Sequence, residues 1–73
     1  MTDDRRLPTL SRAEVRLLEL VADGHALTTA GAELSLSPTT VSSTVVDLRE
    51  RFGVGSTAAV VAAARNAGML PGG

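Results

Sequence analysis

The chain has no cysteine, no tryptophan and no tyrosine, and Phe52 is its one aromatic residue. Without cysteine it has no disulfide framework, no thiolate nucleophile and no sulfur-ligated metal site. With one aromatic ring, the core has to be assembled from Leu, Val and Ala. Lysine is missing too. All seven basic residues are Arg, set against eight acidic ones, and the net charge is −1. A dedicated nucleic-acid binder ordinarily carries a basic surplus, because neutralised phosphates supply most of its affinity. No run of eighteen apolar residues is present, and Met1 is followed by Thr-Asp-Asp rather than a basic and apolar leader. A cytoplasmic location without membrane contact is therefore expected. His25 is the only histidine and has no second ligand or oriented nucleophile beside it, so a surface-loop role outweighs metal binding or acid–base catalysis. No enzyme activity, cofactor or small-molecule ligand is expected of a chain too short for a deep cleft.

What the chain does have is 44% apolar residues in regular spacing, enough for one small domain near the lower size limit. Residues 1–9, with Asp3-Asp4-Arg5-Arg6 and Pro8, read as a flexible N-terminal arm, residues 10–70 as the folded domain, and 71–73 as a tail. Ser11-Arg12-Ala13-Glu14 has the pattern of a capping box, with Leu10 placed as a hydrophobic staple. Leu17, Leu18, Val21 and Ala22 recur at three- and four-residue spacing, which predicts a first helix over about 11–23, ended by Asp23-Gly24. A short second helix is expected over about 28–34, with Ala30, Gly31 and Leu34 turned inward. Gly31 costs a helix roughly 1 kcal/mol relative to Ala, a cost tolerable where another helix crosses too closely for a side chain.

Ser37-Pro38 opens the third helix, over 38–52: Ser37 can cap the first turn, and Pro38 fits the first helical position. Val41, Val45, Leu48 and Phe52 form its inward stripe. Gly53-Val54-Gly55 breaks it, and Ser56 begins a fourth helix, 56–67, which Gly68 ends. Two helices joined by a tight turn of about three residues are the skeleton of a helix-turn-helix, whose second helix enters a DNA major groove. The paradox is that this helix carries no basic residue before Arg49.

From Leu10 to Leu70 the chain resembles the LuxR-type, or GerE-type, helix-turn-helix domain. Leu10-Ser11-Arg12-Ala13-Glu14 is similar to its opening leucine, Ser/Thr and acidic box. Leu34-Ser35-Leu36-Ser37-Pro38-Thr39-Thr40-Val41 is similar to its turn and Ser-Pro-x-Thr-Val signature, and Phe52-Gly53-Val54-Gly55-Ser56 to its Leu-Gly-Val-x-Ser joint. The resemblance implies an all-α, four-helix domain that binds double-stranded DNA as a homodimer, usually as the output of a bacterial transcription regulator. It implies recognition by helix three and a dimer seam on helix four. The chain departs from the family where contact with DNA would be made. The usual Lys and His after Thr-Val are Ser42 and Thr44, and the usual Ile-Ala pair of helix two is Ala30-Gly31. Only Arg51 keeps a basic phosphate-contact type.

With Val41, Val45 and Leu48 inward, Thr39, Thr40, Ser42, Ser43, Val46 and Asp47 face outward. Hydroxyls can reach phosphates and base edges, Val46 a thymine methyl, and Asp47 a cytosine amine unless it simply repels phosphate. The plain alternative is that Ser and Thr only keep an exposed face soluble. Arg12, and with less weight Arg5 and Arg6, can add backbone contacts. The Ala58–Ala64 run is apolar all round, as core or, preferably, as a homodimer seam using Ala58, Val61, Ala62 and Arg65. The leading expectation is a sequence-specific DNA-binding transcription regulator of modest affinity. Its rival is a protein-interaction module that dimerises with or sequesters a DNA-binding partner.

Overall fold

A computed structural model describes residues 9–70, so Arg5, Arg6, most of the expected arm and the 71–73 tail lie outside the described residues. Four helices follow in order: α1 (Arg12–Ala22), α2 (Leu27–Glu33), α3 (Pro38–Phe52) and α4 (Thr57–Asn66). Each packs against the next, and α4 closes back on α1.

Serine hydroxyls start three of the four helices. Ser11, Ser37 and Ser56 each accept from the backbone N–H three residues on, at 3.1 Å. At α1 the Ser11 N–H donates to Glu14 Oε1 at 2.9 Å, completing the capping box. Only α2 lacks such a start, since its N-cap is Ala26.

All four helices end in the same pair of hydrogen bonds. An N–H just past the last turn reaches five residues back, as from His25 to Leu20 O, Leu36 to Gly31 O, Val54 to Arg49 O and Met69 to Ala64 O. The motif puts one residue in the left-handed region. Gly24, Gly53 and Gly68 fill that place after α1, α3 and α4, but after α2 it is Ser35, at φ 61°.

The core is aliphatic, as the shortage of aromatics requires. Leu18, Leu48, Val60, Val61, Ala64 and Leu70 form one buried cluster, with Leu10, Val15 and Phe52 among the half-buried side chains around it. Leu17, Ala30, Val41 and Val45 are buried as well, and no polar side chain is buried among the described residues. Each fully buried Leu or Val contributes about 1.5–3 kcal/mol relative to exposure.

Two expectations about this core need correcting. Leu34 is half-buried rather than core, because it is the C-cap of α2 and leads into the turn. Val61 is 7% exposed and sits within the cluster, so α4 turns it toward Leu18 and Leu48 and not toward a partner.

Candidate nucleic-acid interface

The geometry of α2 and α3 depends on Gly31. A Cβ added there would overlap Val41 Cγ2 and lie 3.6 Å from Val41 Cβ. The two helices therefore cross where a hydrogen atom fits and a methyl does not. Four residues, Leu34–Ser37, make the connection, and Ser37 then caps α3.

Burial of Val41, Val45 and Leu48 leaves the opposite face of α3 to solvent. Thr39, Thr40, Ser42, Ser43, Val46 and Asp47 are all exposed, together with Glu50. Val46, at 45%, is the one large apolar side chain exposed among the described residues. The Thr40 hydroxyl already accepts from Ser37 Oγ at 2.9 Å, which leaves its own proton to donate. Thr44, at the family's usual His position, is half-buried.

Charge is distributed unevenly on the two flanks of α3. Arg51 faces α1 and is fully engaged there. Its Nε donates to Asp47 Oδ2 at 2.9 Å, and its Nη1 donates to Thr9 O at 2.8 Å and to Glu14 Oε1 at 3.2 Å. Its Nη2 also contacts Glu14 Oε2 and Asp47 Oδ2. The Glu14 carboxylate raises the Arg51 pKa above its usual value, with Asp47 adding to the effect. In return the Arg51 guanidinium holds Glu14 below the ordinary carboxylate value, against the opposing effect of partial burial and with help from the Ser11 N–H. Arg51, expected as a phosphate contact, is in this structure the tie between α1 and α3. The i,i+4 pair with Asp47 was readable from the sequence. The pair with Glu14, thirty-seven positions away, was not.

Arg49 lies on the other flank. With Leu27, Thr28, Ser42 and Val46 it lines an open groove of about 370 Å³ between the start of α2 and the front of α3. Sequence reasoning passed over Arg49, although it is seven positions from Ser42 and three from Val46, and so on their side of the helix.

The remaining candidates are dispersed. Arg12 is exposed in the first turn of α1. Ala58, Ala62 and Arg65 are exposed along one side of α4, at helical spacing. His25 is half-buried, with Nδ1 3.2 Å from Leu20 O and Nε2 4.0 Å from Glu33 Oε2. Among the described residues no group of three potential metal ligands occurs, and no helix is long and apolar enough to cross a membrane.

A short α2, a tight turn and an α3 with an exposed polar front define a helix-turn-helix domain. The family model for bacterial regulatory proteins of the luxR family, GerE, matches residues 8–64. The chain belongs to that family, whose domains are DNA-binding regulators of transcription. No curated protein and no solved structure matches it.

Proposed function

We propose that the domain binds double-stranded DNA as a homodimer, with α3 in the major groove and α4 at the dimer seam. The observation that carries this reading is the two-sidedness of α3: a buried Val41-Val45-Leu48 stripe and an exposed front of Thr39, Thr40, Ser42, Ser43, Val46 and Asp47. Threonine and serine hydroxyls contact phosphates and base edges, Val46 meets a thymine methyl, and Arg12 reaches the backbone beside the groove. Asp47 is held by Arg51 and takes part in base reading only if that pair opens. The seam uses Ala58 and Ala62, whose small side chains allow a second helix close approach, with Arg65 beside them. Affinity for one site is modest, because few phosphates are neutralised.

A second reading draws on the neutralised Arg51 and the net charge of −1: an interaction module that dimerises with a DNA-binding relative and does not touch DNA.

Ser42 separates the two. Ser42→Lys is expected to raise non-specific affinity and steepen the salt dependence by about one unit, while Ser42→Glu abolishes binding at unchanged stability. Amide shifts from Thr39 to Asp47 on adding duplex accompany the first reading. Shifts confined to α4, with α3 unmoved, would defeat it.

A further inference from the structure

We infer that Arg49, and not Arg51, is the residue of α3 that binds the DNA phosphate backbone. The assignment rests on α3 being the DNA-reading helix. Two arginines flank the exposed front of α3, and their surroundings are opposite. The Arg51 guanidinium is shared by two carboxylates and the Thr9 carbonyl, so its charge is already neutralised and its donors already used. A phosphate would have to displace Glu14, which would also break the polar tie between α1 and α3.

Among the described residues Arg49 makes no ion pair and no side-chain hydrogen bond. It is half-buried on the wall of the groove that runs past Thr28, Ser42 and Val46. An arginine fork beside two hydroxyls is a donor set suited to one phosphodiester, which offers only acceptors. Carboxylates set the direction of approach. Asp47 and Glu50 line the adjoining depression with Ser42, Ser43 and Val46, on the side of α3 away from Arg49. Like charge therefore turns a backbone away from the Glu50 side and toward the Arg49 side. The partner is the sugar–phosphate strand bordering the groove that α3 enters, and the contact is independent of base sequence.

The test measures binding of the intact chain to a random-sequence duplex across a salt series, for wild type, R49Q, R49M, R49K and R51Q. Each phosphate neutralised contributes about 0.9 to the slope of log affinity against log salt. R49Q and R49M are expected to flatten the slope by that amount for every duplex sequence, with melting temperature retained, and R49K to restore it. R49M keeps an apolar stem in the groove wall, so a folding defect confined to R49Q does not obscure the result. R51Q is expected to lower the melting temperature and leave the slope unchanged. A wild-type slope in both R49Q and R49M, or a flattened slope in R51Q alone, overturns the assignment and leaves the α3 reading standing. A wild-type chain that binds no duplex at low salt overturns both.

Discussion

Glycine 31 shows how one position can reverse a propensity argument. Helix propensity alone makes Gly31→Ala stabilising by up to about 1 kcal/mol. The position of Val41 Cγ2 reverses that sign, because the new methyl overlaps a β-branched side chain with little rotamer freedom in a helix. Gly31→Ala is expected to destabilise by about 1–3 kcal/mol in urea unfolding, and the Gly31→Ala/Val41→Ala double variant to lose clearly less than the sum of the two single variants. Additive losses in that cycle would show that the helices do not meet there. Ser35 presents the converse case. It holds the left-handed place that glycine fills after the other three helices, and an L-residue there costs about 1–2 kcal/mol. Ser35→Gly is expected to raise stability by up to about 1 kcal/mol, less than the full strain because glycine loses more entropy on folding. Thermal melts of the two chains measure this directly.

Among the elements, α2 is the weakest by itself and the most dependent on its neighbours. It has seven residues, an alanine N-cap and an internal glycine, and isolated helices of that length do not persist in water. Contacts with α1 and α3 hold it, so the orientation of α3 depends on packing rather than on local preference. The Glu14–Arg51–Asp47 tie performs the same task at the other end of α3. Because the native Glu14 carboxyl titrates below its usual value of 4.5, the tie adds stability above that pH and loses it as pH falls through the lower native value. Glu14→Gln keeps the capping box but removes the charge. At neutral pH it is expected to lower stability by about 0.2–1 kcal/mol, a gap that narrows steadily below pH 4.5 in urea midpoints. A gap that stays constant down to pH 3 would mean that the charge contributes nothing.

For the whole molecule, the open question is what covers α4. The chain buries Val60, Val61 and Ala64 itself, and the exposed strip of Ala58, Ala62 and Arg65 remains for a partner. Ala62→Glu is therefore expected to convert a dimer to a folded monomer in sedimentation, with helicity unchanged. Val61→Glu is expected to unfold the domain, since an unpaired buried charge costs several kcal/mol. A wild-type chain that stays monomeric at high micromolar concentration would contradict the homodimer.

Local chemistry made much of this protein readable in advance. Ser11, Ser37 and Ser56 mark helix starts, because a hydroxyl beside free amides satisfies them whatever the rest of the chain does. Gly24, Gly53 and Gly68 mark three of the four ends for an equally local reason. Periodicity placed Val41, Val45 and Leu48 inside, and with them the outward set of α3. What depends on distant parts of the chain meeting was not readable. Val61 resembles its alanine neighbours in sequence, and only the placement of α4 over Leu18 and Leu48 puts it in the core. Arg49 and Arg51 are two positions apart and chemically identical. Packing of α1 against the end of α3 brings Glu14 to one of them and leaves the other facing an open groove. Charge balance is a sum over the sequence, but which charges remain available to a ligand is decided by neighbours that only the folded chain brings together.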